Sequence, residues 1–465
     1  MQNGSRVASR RQFIKGAGIA SAATLLSSSA ALSKSQVPVD ADASVPAKNL
    51  IFLVVDGLSG GTLGLAHHWQ LRHNTQPLNW MQFYSQPGVF RAQQDTASAN
   101  SPVTDSAAAA SAWGSGQRVN NGAINRSPAG EKQKAILAYA KEAGKATGLV
   151  STCRITHATP AGFVASVAKR GEEQLIAEQY LDAEVDVLLG GGARYFKAGA
   201  LLDQFAAASY QIVSNSEQLA AKAGSPKLLG LFAQDHVPYR IDRENDPQYS
   251  SVPSLPEMLG SALKSLEKTP EGFVLQVEAG RVDHAGHVND PAAILHEFLE
   301  FDACIQLALK YTQAHSDTLL VVTTDHGTGG CQLNGIGSAY TGSGPALDEI
   351  NKFTRSFEWL QDEFLAQGKF DAALLEEMTG IATSPEVAAQ IQAAIDEPVQ
   401  YLSSTLTALL QPQLMAKTGT GWTSNNHTGE CVDFMALGPG AGKLPPFMRN
   451  DAVFAFMADA LRLRV

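Results

Sequence analysis

Residues 49–57 read Asn-Leu-Ile-Phe-Leu-Val-Val-Asp-Gly, an apolar run that ends in an acid and a glycine. Apolar and polar residues do not alternate in this run, which indicates a strand that is buried on both faces. Such strands are typical of parallel sheets that are covered by helices. The stretch therefore predicts an α/β sheet with Asp56 at the carboxyl end of a strand, where open α/β sheets bind their ligands.

Similar apolar runs recur along the chain and alternate with helical patterns. The runs span residues 146–152, 185–189, 273–277, 318–324 and 434–437. The clearest helix begins at Asp290-Pro291, a helix-capping residue followed by proline at the first helical position. Apolar residues follow at helical spacing, at Ile294, Phe298, Ile305 and Leu309. The alternation predicts a three-layer α/β sandwich with a central, mainly parallel β-sheet flanked by helices.

The first residues have a different character from the rest. Ser9-Arg-Arg-Gln-Phe-Ile-Lys15 precedes an apolar run over residues 16–32 that contains no acidic residue. This pattern is typical of a twin-arginine signal peptide, here assigned to residues 1–34, although a basic disordered tail is the alternative. We therefore expect export through the twin-arginine machinery to the periplasm or the medium. The run is too short and too rich in Ser and Gly for a stable membrane span, so no membrane association is expected after cleavage.

Charge excludes some classes of partner. The whole chain has a net charge of −10, and loss of residues 1–34 makes it −15 because five basic residues and no acid are removed. An acidic surface repels nucleic acid and anionic lipid, so we expect neither as a partner.

The remaining chain is interpreted as one catalytic domain after a short linker. Residues 35–48 form the polar linker and residues 49–465 the catalytic domain. From about 345 to 417 the pattern is mostly helical, with helices expected at 349–367 and 385–395. We interpret this segment as a helical insertion because a candidate site residue, His427, follows it directly.

The cysteines do not predict a metal site by their spacing. The chain contains Cys153, Cys304, Cys331 and Cys431 without a Cys-x-x-Cys pair. Export permits disulfides and four cysteines allow three full pairings, but buried free thiols are the simpler interpretation.

Acidic and imidazole side chains follow several of the apolar runs. Asp56, Glu278 and the pair Asp325-His326 each end a predicted strand. Asp283 and His287 lie four residues apart, so a helix would present both to one ion. Each acid alone is more often part of a turn. Together they form a set of oxygen and nitrogen donors suited to zinc and magnesium.

Ser106 stands at the start of a strongly helix-forming run, Ser-Ala-Ala-Ala-Ala-Ser-Ala-Trp. Such a serine is either a helix cap or a nucleophile that is favoured by the helix dipole and a nearby cation. The neighbouring Asp105 is then a candidate to orient an arginine or a metal-bound water.

The order of these motifs resembles the alkaline phosphatase family from about residue 49 to residue 441. The motifs are Asp56-Gly57, Thr104-Asp105-Ser106, His157-Ala-Thr159, Glu278…Asp283…His287, Thr324-Asp325-His326-Gly327 and His427-Thr428-Gly429. The resemblance implies a phosphate monoesterase that acts through a phosphoserine at a site with two zinc ions and one magnesium ion. A homodimer is a possible assembly, and small phosphate monoesters are the expected substrates.

The resemblance also implies a role for each site residue. Ser106 would be the nucleophile and Arg170 would bind the phosphate. The ligands of the first zinc would be Asp283, His287 and His427, those of the second Asp56, Asp325 and His326, and those of magnesium Asp56, Thr159 and Glu278.

One well-known form of the family has aspartate at the position of His157 and lysine at the position of His284. The resemblance implies that these two side chains contact the substrate or support the metal ligands. Other members carry histidine at both positions, so the third ion stays open between magnesium, zinc and cobalt.

Phosphodiesterases and sulfatases of the same superfamily are the alternative enzymes. Ser106 lacks the Cys/Ser-x-Pro-x-Arg context of a sulfatase, and the diesterases commonly use threonine. An inactive metal-binding scaffold would have lost a ligand or the nucleophile, and the sequence retains them all.

Overall fold

A computed structural model describes residues 45–197, 200–397 and 401–465. The signal peptide assigned to residues 1–34 and most of the linker, up to residue 44, lie outside the described residues. Within the described residues, no helix combines the length and the apolar character that crossing a membrane requires.

The strands are β1 Asn49–Val55, β2 Phe90–Gln94, β3 Ala146–Arg154, β4 Val187–Gly191, β5 Gln211–Val213, β6 Leu228–Leu231, β7 Phe273–Ala279, β8 Thr318–Thr324, β9 Gly327–Thr328, β10 Gln332–Leu333, β11 Thr420–Gly421, β12 His427–Thr428, β13 Val432–Leu437 and β14 Phe447–Met448. The helices are α1 Gly60–His73, α2 Asn79–Ser85, α3 Ser106–Ser115, α4 Ile136–Glu142, α5 Ala158–Ala161, α6 Glu173–Asp182, α7 Leu201–Ala207, α8 Ser216–Lys222, α9 Arg240–Asn245, α10 Leu255–Leu266, α11 Arg281–Val288, α12 Pro291–Ala314, α13 Ser343–Glu349, α14 Phe357–Gln367, α15 Ala372–Thr379, α16 Pro385–Asp396, α17 Leu402–Thr418 and α18 Ala452–Ala460.

Ten of the described strands form one central sheet in the order β14-β2-β13-β8-β1-β7-β3-β4-β6-β5. Every neighbouring pair is parallel except the two that involve β13. The mainly parallel sheet predicted from the apolar runs is therefore confirmed. The strand β1, whose sequence decided that prediction, lies between β8 and β7 near the middle of the sheet.

Helices cover both faces of the sheet, which confirms the three-layer sandwich. Ile51, Leu53 and Val55 of β1 pack into one buried cluster that includes residues of α10 and α12. The alternate residues Leu50, Phe52 and Val54 pack into a second cluster on the other face, with residues of α3, α4 and α18. Burying each such large side chain contributes about 1.5–3 kcal/mol, so both faces of β1 stabilise the fold.

The segment from α13 to α17 consists of helices in its described residues, but one expected helix is interrupted. The sequence pattern predicted a helix over residues 349–367, whereas α13 ends at Glu349 and α14 begins at Phe357. The break occurs because the Ser356 side chain caps α14 by accepting a hydrogen bond from the Trp359 amide. The cap at Ser356 therefore starts a new helix within residues 349–367, where the sequence pattern alone predicted one continuous helix.

This helical segment is joined to the sheet domain by buried hydrogen bonds. Asp290 Oδ1 accepts from the amides of Ala292 and Ala293 and so caps α12, as the sequence predicted. The other oxygen of Asp290 accepts from the Phe357 amide of α14 at 2.8 Å. The buried carboxylate of Asp290 thus connects α14 of the helical segment to α12.

Candidate active site

Four adjacent strands of the sheet, β8, β1, β7 and β3, end at one edge, where the predicted site residues collect. Asp56 follows β1, Asp325 follows β8, and Glu278 lies in β7 opposite Val54 of β1. All three carboxylates are almost completely buried, with at most 1% of each residue exposed. The parallel topology brings together acids that are far apart in sequence.

The turn after β1 requires a glycine. Gly57 has a φ of +77°, and a Cβ atom at this position would lie 2.6 Å from the Cα of Asp283. The amide of Gly57 donates to Asp325 Oδ1 at 3.0 Å. Close approach of the backbone at Gly57 therefore positions Asp283 and Asp325 around the end of β1.

Asp283, His287 and His427 form the first cluster of potential ligands. Nε2 of His287 and Nε2 of His427 lie 3.4 and 3.5 Å from the two carboxylate oxygens of Asp283 and 3.0 Å from each other. Nδ1 of His287 faces the Asn425 carbonyl, and Nδ1 of His427 faces the Thr104 carbonyl. Carbonyls only accept hydrogen bonds, so the Nδ1 atom of each ring carries a hydrogen. Each carbonyl thereby orients its imidazole so that Nε2 is directed at the cluster, as is common for histidines that bind metals.

Asp56, Asp325 and His326 form the second cluster. His326 Nε2 lies 3.5 Å from Asp56 Oδ1 and 3.2 Å from Asp325 Oδ2. Neither of these two buried carboxylate oxygens has a hydrogen-bond donor among the residues that the structure describes. The hydroxyl of Ser106 lies 3.4 Å from the same imidazole nitrogen. The predicted nucleophile is therefore next to this second cluster.

Ser106 is the first residue of α3, but it is not the cap of that helix. Asp105 is the cap, because its Oδ1 accepts from the Ala108 amide at 2.9 Å. This leaves the Ser106 hydroxyl free of a capping role. Asp105 Oδ2 accepts from Arg170 Nη1 at 3.2 Å, so Asp105 orients the predicted phosphate-binding arginine.

The predicted magnesium ligands also lie together. Thr159 Oγ1 donates to Asp56 Oδ2 at 3.2 Å. Glu278 Oε2 accepts from Ser151 Oγ at 2.5 Å, while Glu278 Oε1 is buried and has no hydrogen-bond partner in the described part of the chain. Asp56 thus lies between the second cluster and this third group.

The electrostatics of the site favour bound cations. Burial and the neighbouring carboxylates raise the pKa of Asp56 well above its usual range. Burial is also the main cause that raises the pKa of Asp325 to about 8 and that of Glu278 to about 7. In residues 45–197, 200–397 and 401–465, these three carboxylates form no ion pair with lysine or arginine.

The first cluster differs because an imidazole neutralises its acid. Burial opposes ionisation of Asp283, but His287 and His427 outweigh it and hold the pKa of Asp283 well below its usual range. The charge of Asp283 in turn raises the pKa of His287 to about 9. A divalent ion could replace the proton of His287 between these donors.

His157 and His284 lie on the outer side of the third group, together with two residues that sequence reasoning missed. Their rings are 5.5 Å apart between centroids, and His236 packs 4.3 Å from His284. The thiol of Cys153 lies 4.0 Å from His284 Nδ1. Cys153 could have been noticed at the end of an apolar run, but no pattern identifies His236, which lies in a loop after β6.

The buried oxygens without donors and the oriented imidazoles fit divalent ions. The class of protein is therefore an α/β protein whose sheet edge carries three groups of potential metal ligands beside a buried serine.

Comparison with known proteins agrees with this class. The family model for alkaline phosphatase matches residues 47–463. Alkaline phosphatase 3 of Bacillus subtilis (strain 168) is 32% identical over 432 residues, which cover 90% of each protein. The crystal structure of Thermus thermophilus alkaline phosphatase superposes with a TM-score of 0.83 at 35% identity, covering 91% of this chain and 93% of that one.

A second bacterial relative and a second structure extend the match. Alkaline phosphatase of Escherichia coli (strain K12) is 33% identical over 331 residues, 60% of this chain and 70% of the relative. A cold-active alkaline phosphatase from Shewanella sp. has a TM-score of 0.76 at 30% identity and covers 89% of this chain and 99% of its own. The chain belongs to the alkaline phosphatase family, and it is a phosphoric monoester hydrolase.

Proposed function

We propose that the protein is an exported, metal-dependent phosphomonoesterase that forms a phosphoserine at Ser106. The observation that carries this proposal is the position of the Ser106 hydroxyl, 3.4 Å from His326, which belongs to a three-ligand cluster. A helix start, a free hydroxyl and nearby cation ligands are together what a serine needs to attack phosphorus.

Two zinc ions would be held by the two clusters, and a third divalent ion, magnesium by the family resemblance, by Asp56, Thr159 and Glu278. The candidate ligand atoms within each of the two zinc clusters lie within 4.8 Å of one another. When bound, the ions would stabilise charge on the attacking and departing oxygens and lower the pKa of water.

The side chains of the protein have separate tasks in the reaction. The Arg170 guanidinium, oriented by Asp105, binds two phosphoryl oxygens of a small phosphate monoester. Ser106 Oγ loses its proton and bonds to phosphorus as the bond to the alcohol oxygen breaks and the alcohol leaves. Water then attacks the phosphoserine, which releases inorganic phosphate and restores the hydroxyl.

Replacing Ser106 tests the nucleophile. Ser106→Ala should lower hydrolysis of an aryl phosphate about 10³-fold or more, and no phosphoserine should be trapped at low pH and detected by mass spectrometry. Ser115→Ala, in the same helix, is the matched control and should retain activity because its hydroxyl bonds only to the Ser111 carbonyl. Wild-type turnover in Ser106→Ala with a phosphoserine at another position would contradict the proposal.

The competing diesterase function is tested on the same preparation. Turnover of an aryl phosphate monoester should exceed that of the corresponding diester. Faster hydrolysis of the diester would favour the alternative enzyme class.

Export is proposed from the Ser9-Arg-Arg-Gln-Phe-Ile-Lys15 stretch, with the periplasm or the medium as destination. Replacing Arg10 and Arg11 by lysine should retain the enzyme inside the cell, as measured by cell fractionation. Unchanged export of this variant would contradict use of the twin-arginine machinery.

A further inference from the structure

Cys153 lies beside the third group of ligands and has no role in the proposed reaction. It stands at the carboxyl end of β3, and its residue is fully buried. The potential ligand atoms of Cys153, His157 and Glu278 all lie within 4.8 Å of one another. A tetrahedral zinc ion with bonds of about 2.0–2.3 Å holds its ligands about 3.3–3.8 Å apart, so this spacing is compatible with a shared ion.

Two of these three donors have no partner in the described protein. Nδ1 of His157 and Oε1 of Glu278 are buried, and neither forms a hydrogen bond with a described residue. Leaving two such groups unsatisfied is costly, and a native site normally provides them with a ligand.

The thiol and the carboxylate converge on the same space. A Cβ atom built on Gly280 would lie 2.5 Å from Cys153 Sγ and 2.8 Å from Glu278 Oε1. Glycine at this position therefore leaves the side chains of Cys153 and Glu278 room to approach one another.

Charge decides between two possible sites for an ion near Cys153. His236 and His284 form a second set with the thiol, in which the potential ligand atoms also lie within 4.8 Å of one another. There, however, Arg281 Nη1 lies 2.7 Å from His284 Nδ1, and Arg154 Nη1 contacts His236 Nε2. Two guanidinium groups thus contact this second set, which has no carboxylate among its three members, and they repel a cation. The first set has one guanidinium, that of Arg170 beside His157, and it has the Glu278 carboxylate, which attracts a cation.

We propose that Cys153, His157 and Glu278 form a thiolate-containing third site that selects zinc or cobalt over magnesium. Thiolate and imidazole are ligands of zinc and cobalt, whereas magnesium prefers oxygen and keeps several waters. Binding releases the Cys153 thiol proton to solvent. The proposal rests on the proposed function because it concerns the third ion of that site. It keeps Glu278 as a ligand, changes the identity of the ion, and gives Cys153 and His157 the places that the family resemblance gives to Asp56 and Thr159.

Ligation at His157 also affects the phosphate-binding arginine. Arg170 Nη2 lies 2.9 Å from His157 Nε2. His157 Nε2 can accept a hydrogen bond from Arg170 only while the imidazole hydrogen is on Nδ1. An ion on Nδ1 moves that hydrogen to Nε2, where it faces the Arg170 donor. The arginine then loses this partner and keeps Asp105, and it is free to turn toward phosphate.

Cobalt reports directly on a thiolate ligand. The full-length mature protein is stripped of metal and loaded with cobalt in reducing, oxygen-free buffer with magnesium in excess. We expect about three cobalt ions per chain and a thiolate-to-cobalt charge-transfer absorption in the near ultraviolet. In Cys153→Ser the absorption should be lost, and cobalt content should fall to about two ions per chain by elemental analysis.

A matched variant and the nucleophile variant complete the design. Cys304→Ser replaces another buried thiol, which lies in α12, and it should keep both the absorption and the third cobalt ion. Absence of the absorption in the wild type, or its persistence in Cys153→Ser, would overturn the proposal. Ser106→Ala should keep the absorption and lose turnover, so failure of the thiolate site and failure of the proposed reaction give different results.

Discussion

Two buried acidic regions of this protein are organised in opposite ways. Near α9 and α12, Glu300 Oε2 accepts from Arg243 Nη2 at 2.5 Å and its other oxygen accepts from the Leu255 amide. At the sheet edge, Asp56, Glu278 and Asp325 each keep one buried oxygen without a donor among the described residues. Glu300 is complete with protein partners, although Glu297 beside it in α12 also keeps one oxygen without a donor. The three carboxylates at the sheet edge lie close together, and their donorless oxygens fit cations. Several unpaired carboxylates in one place, rather than a single one, therefore mark the reactive edge.

The largest expected effect is on activity, from neutralising an unpaired carboxylate. Asp325→Asn keeps the oxygen that accepts from Gly57 and removes the charge of the second cluster. Hydrolysis of an aryl phosphate should fall about 10³-fold, because charge stabilisation by a metal ion contributes several kcal/mol to the transition state. Steady-state kinetics measures the fall in turnover, and elemental analysis of the same protein measures its metal content.

The matched control is a paired carboxylate. Asp302→Asn, whose Oδ1 accepts from the Trp80 amide, should retain zinc and turnover. Comparable loss of activity in both variants would remove the distinction between the two regions.

The second effect is on stability, from breaking the paired region. Arg243→Met leaves Glu300 buried and unpaired, and both side chains are less than 10% exposed. The free energy of unfolding should fall by about 3–5 kcal/mol, measured in urea, with metal content unchanged. Adding Glu300→Met should recover most of the loss, since a buried pair can be replaced by apolar residues. A double variant as unstable as the single one would contradict this reasoning.

The smallest effect is a pH dependence of stability to which the unpaired region contributes. Burial raises the pKa values of Glu278 and Asp325 to about 7 and about 8, and it raises those of Glu297 and Asp242 elsewhere to about 7. From about pH 7 to pH 8 the buried histidines, whose pKa values are lowered, are largely neutral in both the folded and the unfolded state. In this window the folded, metal-stripped protein still holds carboxyl protons that the unfolded state has lost. Stability should therefore fall as pH rises through this window, by about 1.4 kcal/mol per pH unit for each group that titrates in one state only.

Urea unfolding with a chelator across this pH range checks that slope. Saturation with zinc should reduce the slope, because the ions replace the protons of Glu278 and Asp325 but not those of Glu297 and Asp242. A stripped protein that became more stable between pH 7 and pH 8 would contradict this prediction.

Much of the site could be predicted because parallel strands end at one edge. An apolar run followed by an acid was sufficient to select Asp56 and Asp325, and helical spacing selected Asp283 with His287. The pairing of Asp105 with Arg170 depends on a contact across 65 positions, so the sequence alone left the partner of Asp105 open between an arginine and a metal-bound water. His236 was missed because its loop reaches the site only through the tertiary fold. Cys153 was assigned to the core because its spacing matches no zinc motif.

The last turn of α11 has a consequence for cooperativity. Its terminal carbonyls at His287 and Val288 accept hydrogen bonds from Ser404 and Thr407 of α17, so the end of this helix is satisfied by a distant part of the chain. Detachment of α17 would release the Val288 carbonyl, whereas Asn425, which follows α17, would still hold the carbonyl and the imidazole of His287. Local unfolding of α17 and of the last residue of α11 should therefore occur as one event, with a shared free energy of opening in hydrogen exchange.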